Sequence, residues 1–417
     1  MTIEPPIPFV LPENDLIPEV ETRLVVFSDD WGRHPSSCQH LVRELVPGYE
    51  VTWVNTVGTR RPGINAADLK RAAGKLVSWA GRSSRRATAQ LPAGLSVINP
   101  IMWPGFRQSW QRRLNARFLS RAVNEALGHR RDERRVAVTT LPITADLIGR
   151  LDVDRWVYYC VDDFSAWPGL DSDVMQSMER ELVRRVDAVV AVSSTLQQRI
   201  ATMGRRSTLL THGINPAHWR SATSGHAAPT RIPHLSGPVA LFWGLIDRRL
   251  DTMWCVELAE ALRKQGGALV LAGPCQSHDP VLSANPGIEL VGPVAYEHLP
   301  AWASRADVLV MPYTDTPVTR AMQPLKFKEY LATGKPVVAR RLPATEAWHY
   351  AADLADDVDG FVSLVLGRWR HGLTPGQRYA RLRLEHETWT NKAKEFSLIL
   401  QMKGEPIDSA RSLREAA

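Results

Sequence analysis

Long apolar runs are missing from this 417-residue chain. The longest, such as Trp156–Val161 and Ala188–Val192, fall far short of the ~20 residues that span a bilayer. No membrane-crossing helix is expected. The opening MTIEPPIPFVLPEND has neither a basic nor an apolar leader region, so no secretory signal is expected. Cysteine is scarce: Cys38, Cys160, Cys255 and Cys275 lie far apart, with no CxxC pair. They read as buried thiols of a reducing cytosol, which excludes a disulfide scaffold or a zinc cluster. No glycine pair has GxG spacing, and neither Gly74-Lys75 nor Gly334-Lys335 completes a P-loop. HExxH and GxSxG are also absent, so zincin and hydrolase-elbow chemistry fall away. The DxD triplets at Asp152–Asp154, Asp171–Asp173 and Asp357–Asp359 sit in turns or ahead of helices, where Asp caps free N–H groups.

What is present is an ordinary globular composition, 44% apolar and 23% charged, with charge unevenly spread. The net charge is +7, yet between Arg60 and Arg135 seventeen Lys/Arg stand against four acids, so the remainder is net negative. Such a block predicts an anionic partner: nucleic acid, an anionic membrane face or a phosphorylated substrate. A solvated Arg-rich helix is the plain alternative. Trp79, Trp103, Phe106, Trp110 and Phe118 are interleaved with these charges, as on an interfacial amphipathic helix. That mixture favours the membrane surface through residues 60–135, and no nucleic acid is expected.

Short apolar runs alternate with helical stretches. Residues 1–20 are Pro-rich and read as extended or disordered. Strands are expected at Arg23–Phe27, Glu50–Asn55, Leu95–Ile98, Ala137–Thr140, Trp156–Cys160, Ala188–Val192 and Ser207–Leu210. Ala217–Gly237 has a linker's composition. A second series follows, with strands at Val239–Trp243, Ala268–Ala272, Ile288–Val291, Val308–Met311 and Pro336–Ala339. Long helices are expected near Asp357–Arg370 and over Gln377–Gln401. The pattern predicts two doubly wound α/β domains, 21–215 and 238–375, joined by 216–237. A C-terminal helix spans 376–403 and a tail 404–417. Ligands of such sheets bind at the carboxyl ends of the strands, so the cleft between two facing domains is the default site.

The most explicit segment is QPLKFKEYLATGKPVVA, 323–339. Pro324 suits a first helical position, Gly334 a left-handed residue past the helix end, and Pro336 a stop. The helix N-terminus offers free N–H groups to an anion, and Lys326 adds a full positive charge there. A diphosphate at that point would meet Lys326, and Glu329 one turn deeper could accept both hydroxyls of a ribose. The same residues also allow a capped surface helix with a Lys326–Glu329 ion pair.

PLKFKEYLATGKPVVA resembles the donor-site signature of GT-B glycosyltransferases of the family 4 type, especially bacterial polysaccharide-assembly enzymes of the teichuronic-acid kind. FWGLIDRRLD (242–251), VLAGP (270–274), VGPVAYEHLPAWASRADVLVMPY (291–313), VVAVSSTLQQRI (189–200) and VYYCVDDFSAWPG (157–169) match in kind and order. Many members carry Glu, seven residues, then Glu. Here Glu329 keeps the second position and Ala321 occupies the first, as in a subset similar to the inverting glucuronosyltransferase branch, so both retention and inversion stay open.

The resemblance implies a GT-B fold, two Rossmann-like domains facing across a cleft. It implies transfer of a sugar from a UDP- or GDP-type nucleotide sugar to a hydroxyl of a lipid-linked or saccharide acceptor in cell-surface polysaccharide synthesis. No metal or other cofactor is expected, because cations and backbone dipoles can hold the departing diphosphate. The expected setting is cytoplasmic, peripheral on the inner face of a bacterial membrane. Donor-binding residues implied are Gly244, Arg248, Arg249, Tyr296 (against the base), Pro324, Leu325, Lys326 and Glu329. Asp162 and Asp163 follow an apolar strand and project towards the cleft, where one would act as base in an inverting transfer. Asp30, Trp31 and His34 lie in the loop where this architecture contacts acceptor. His212-Gly213 resembles the family's hinge, and the last long helix would cross back onto the N-terminal domain. A nucleotide-sugar 2-epimerase of the same fold, or a basic nucleotide-sugar or nucleic-acid binding protein without catalysis, are the alternatives.

Overall fold

The computed structural model describes residues 21–32, 36–56, 91–129, 132–167, 170–220 and 236–402. Residues 1–20, His34, the 60–90 part of the basic block and the 404–417 tail lie outside the described residues.

The N-terminal sheet has seven strands: β1 Thr22–Ser28, β2 Glu50–Asn55, β3 Leu95–Ile98, β4 Arg134–Thr139, β5 Arg155–Cys160, β6 Ala188–Ala191 and β7 Thr208–Leu209. Their order is β3-β2-β1-β4-β5-β6-β7, and every pairing is parallel. The second sheet holds β8 Val239–Trp243, β9 Ala268–Ala272, β10 Ile288–Gly292, β11 Val308–Met311, β12 Val337–Arg340 and β13 Asp353–Ala355. Its order is β10-β9-β8-β11-β12-β13, again all parallel. Helices cover both faces, so the central strands are buried throughout and read as unbroken apolar runs. In each sheet the winding reverses beside its first strand, between β1 and β4 and between β8 and β11. That is where a doubly wound sheet opens a crevice at the carboxyl ends of its strands.

The two domains are joined twice. The chain leaves the first domain through His212–Ile214 and returns through Glu387–Thr388. The two passages bond to each other, Ile214 N donating to Glu387 O at 2.8 Å and Trp389 N to Ile214 O at 3.2 Å. Gly213 packs against Trp389 so closely that a Cβ would overlap it, which explains the glycine. The helix Trp389–Gln401 then buries Trp389, Phe396, Ile399 and Leu400 in the N-terminal core.

Several expectations need correction. Gln377–Gln401 is not one helix: Pro375–Ala380 is followed by a tight turn over Arg381–His386, and Thr388 caps a new helix at Trp389. Gln377 stays with the second domain, bonded to Asp353 at 2.9 Å. The chain therefore crosses only after Glu387. β13 has no counterpart in the expected strands, since DLA is too short to show a pattern. Pro324 caps its helix, which runs Leu325–Ala332. Cys275 is exposed, unlike the other three thiols. Phe106, expected among the surface aromatics, is buried. Asp357 caps Gly360 N at 2.7 Å, but Asp171 makes no side-chain cap, and Asp154 accepts from Arg135 N at 2.7 Å, sealing a strand edge instead.

Candidate functional site

The site is built where the strand ends of both sheets meet. β8 ends at Trp243 and hands over to Gly244, which adopts φ +135°. A Cβ there would overlap Lys326 Nζ, so only glycine leaves room for the ammonium. Lys326 donates to Tyr313 Oη at 2.8 Å and lies 4.5 Å from the Phe242 ring centroid. Its charge therefore sits between the ends of β8 and β11. It makes no pair with Glu329, so the surface ion pair does not form. Leu325 instead packs against the N-terminal core, and Pro324 caps the turn above it.

Glu329 is enclosed. Trp243 Nε1 donates to it at 3.4 Å, and the Tyr296 hydroxyl faces it. Burial pushes its carboxyl up to about 7, against the opposing pull of Trp243, Lys326 and Tyr296. Tyr296 is half-buried, and one ring face is stacked on His218 at 4.4 Å. Arg249 is bound by Asp247, its Nε 3.0 Å from both carboxylate oxygens, and its guanidinium lies 5.6 Å from the Trp167 ring of the other domain. Arg248, its neighbour, is exposed.

Across the cleft, the two aspartates after β5 separate. Asp163 is engaged: Oδ1 accepts from Ser165 N at 3.0 Å and Ser165 Oγ at 2.6 Å, and Oδ2 pairs with Arg199 Nε at 3.2 Å. Arg199 in turn pairs with Glu179, which accepts from Tyr158 Oη at 2.8 Å. Asp162 faces Trp167 and Arg249. Burial raises its carboxyl to about 6, while the Trp167 indole, the Asp163 N–H and Arg249 pull it down. Asp163 is thus held by Ser165 and Arg199, while the Asp162 carboxyl is turned towards Trp167 and Arg249.

The loop after β1 is organised by Asp29, which accepts from Ser28 Oγ at 2.9 Å, Ser36 Oγ at 3.1 Å and Gln39 Nε2 at 3.3 Å. Asp30 lends its carbonyl to Gln39. Trp31 is held by Asn55 Oδ1 at 2.9 Å and set edge-on to Trp53 at 4.8 Å. Both flank the cleft at a strand end. Ala321 is buried, and its carbonyl accepts from Ser193 Oγ of the first domain at 3.1 Å. That position is an inter-domain contact rather than an opening. Among the described residues no three His, Cys, Asp or Glu side chains converge as a metal site requires.

Sequence reasoning passed over Tyr313, Trp243, Trp167 and Arg199. A polar aromatic directly after a buried strand, as in VLVMPY, is a usable signal for Tyr313. Arg199 has none, because its partners come from other elements.

Residues 237–365 match the family described as glycosyl transferases group 1. The match lies in the C-terminal domain. The chain is also 30% identical over 182 residues to TuaH of Bacillus subtilis (strain 168), a protein described as a teichuronic acid biosynthesis glycosyltransferase. That match spans 41% of this chain and 45% of TuaH, less than half of either. Sucrose-phosphate synthase from Thermosynechococcus elongatus superposes with a TM-score of 0.63 at 14% identity, covering 95% of this chain and all of the other. Anabaena HepE in complex with UDP superposes with a TM-score of 0.60 at 12% identity, covering 91% of this chain and 99% of that one. The fold is GT-B. Gly244, Tyr313, Lys326 and Glu329 lie within the matched residues. The first domain supplies Asp162 and the loop after β1.

Proposed function

We propose that the protein transfers a sugar from a uridine or guanosine diphosphate sugar to a hydroxyl of a lipid-linked saccharide, in cell-surface polysaccharide synthesis. One observation carries the reading: Lys326 Nζ is lodged against Gly244 at the strand ends, with Glu329 one turn below and Asp162 opposite. A leaving diphosphate needs a fixed cation where its charge develops, and preorganised charge in a cleft is worth more than in water. Lys326, the free N–H groups after Pro324 and the positive charge of Arg249, held in place by Asp247, supply it, and no metal is needed on this reading. Arg248 is the outer cation. Glu329 receives the ribose hydroxyls, and the base lies along Gly292–Tyr296. The acceptor enters past Asp30 and Trp31. Asp162 takes the hydroxyl proton as the new bond forms, and the anomeric centre inverts.

TuaH supports the polysaccharide setting and HepE the uridine nucleotide. A peripheral place on the inner membrane face is supported by the surface of the helix Ser109–Leu127. Trp103 and Trp110 are 44% and 47% exposed beside exposed Arg113, Arg117 and Arg121.

The test is incubation with labelled nucleotide sugars, with and without membrane lipid extract, in the presence of a chelator. Label moving to lipid, with the anomer inverted by NMR, is the expected result. Altered free sugar would point to epimerisation, and binding without turnover would overturn the catalytic reading.

A further inference from the structure

Away from the cleft, the N-terminal domain carries a second polar cavity. It lies between the helices Ser172–Arg185 and Ser194–Thr202, has a volume of about 410 Å³, and is lined by Gln176, Arg180, Arg184, Arg199, Thr202 and Met203. A second hollow of about 460 Å³ shares Arg180 and Arg184 and reaches Arg185. Gln176, Arg180 and Arg184 are spaced i, i+4, i+8, so they form one stripe on one helix face.

The charges in this cavity are not balanced. The carboxylates beside it are already matched: Glu181 by Arg112 at 2.6 Å and Arg185 at 3.3 Å, and Glu179 by Arg199. Arg180 and Arg184 are exposed and hold no ion pair among the described residues. Arg180 and Arg184, two like charges at i, i+4, repel one another, while Arg199 is held by Glu179 and Asp163. A bound dianion would turn that repulsion into charge-assisted hydrogen bonds, and guanidinium forks match phosphate oxygens in geometry.

We infer that this cavity binds a phosphate or diphosphate group. The floor residue Arg199 also holds Asp163 at 3.2 Å, so an occupant is wired to the loop that carries Asp162. Right-handed crossovers put the helix Ser109–Leu127 on the same face of the sheet, and Arg112 bridges it to Glu181. The helix that carries the exposed Trp110 therefore lies on the same side of the sheet as the cavity. The phosphate chemistry stands by itself; its place beside an acceptor loop rests on the function proposed above. A lipid-linked diphosphate and a phospholipid headgroup present the same group.

Pyrophosphate is titrated calorimetrically into the full chain, into Arg180→Ala/Arg184→Ala, and into Lys326→Ala. Both arginines are exposed, so the double variant is expected to keep the native circular dichroism spectrum. Two sites are expected in the wild type. The double variant weakens one by about tenfold or more, the loss of roughly one charge-assisted contact, and Lys326→Ala weakens the other. An unchanged titration in the double variant overturns the inference. An unchanged titration in Lys326→Ala alone strikes the donor reading instead. Phosphatidylcholine vesicles doped with a polyprenyl diphosphate or with phosphatidylglycerol then separate the sources. Loss of binding by the double variant only on the first assigns the group to the acceptor, and loss on both assigns it to headgroups. Loss on neither, with the pyrophosphate site gone, assigns it to a phosphate free in solution.

Discussion

Two adjacent aspartates end β5, and nothing in their order says which one works. The partners decide. Asp163 is occupied by Ser165 and Arg199, whereas Asp162 is left in a half-buried place facing Arg249 and Trp167. Asp162→Asn is expected to lower kcat by about 10²–10⁴-fold with nucleotide affinity unchanged. Asp163→Asn loosens the loop and acts less. Because burial raises the Asp162 carboxyl to about 6, wild-type turnover should fall as pH drops through 6, the base being lost by protonation. Stopped assays across pH check this, and near-normal rates in both variants would sink the assignment. Lys326 was legible as a cation at a helix start. Its seat against Gly244 and Tyr313 was not, since those contacts span 82 and 13 residues of sequence (Gly244 to Lys326, Tyr313 to Lys326).

At the scale of elements, the helix Leu325–Ala332 is tied to both domain crossings by one buried side chain. Lys328 Nζ donates to Thr211 Oγ1 at 3.1 Å, to the His212 carbonyl, and to Glu387 Oε2 at 2.6 Å; Lys392 of the crossing helix reaches the same oxygen at 3.2 Å. Burial by itself would raise the Glu387 carboxyl, but the two ammonium groups hold it down at about 2. A carboxyl depressed by folding contributes stability above its unfolded value near 4.5, and that stability is lost as pH falls towards 2. Lys328→Ala should cost about 3 kcal/mol, the low end for breaking a buried pair because Lys392 remains. Urea unfolding at pH 7 and at pH 3 checks both: the variant should be weaker at pH 7, and the gap should shrink in acid. Sequence patterning marked this helix with its Pro and Gly punctuation. It could not show that a lysine in it would be buried, because lysine is normally a surface residue.

The whole molecule sets two strand-end edges against each other and presents one helix face outward. Trp103 and Trp110 lie 5.4 Å apart on that face. Both are too exposed to be core residues, while the exposed Arg113, Arg117 and Arg121 follow Trp110 along the helix. Trp103→Ala/Trp110→Ala is expected to reduce co-sedimentation with anionic vesicles by about tenfold or more, with nucleotide binding unaffected. High salt should release the wild-type protein, since exposed charges are screened beyond about 10 Å at 0.1 M. Indifference to lipid charge would remove the membrane from the picture and leave the transferase reading standing.

Local chemistry alone determined the sheet strands and their punctuation. Val239–Trp243, Ala268–Ala272 and Val308–Met311 match the observed strands residue for residue, because parallel strands buried on both faces must be apolar along their length. It also placed the doubly wound class. The tertiary structure decided the rest: which aspartate Arg199 and Ser165 hold, where Lys326 rests, how the return crossing breaks at Glu387, and which arginines have no ion pair among the described residues. Each depends on a partner far away in the chain. Such a pairing is set by how the elements cross and pack, and it leaves no periodic trace in the order of residues.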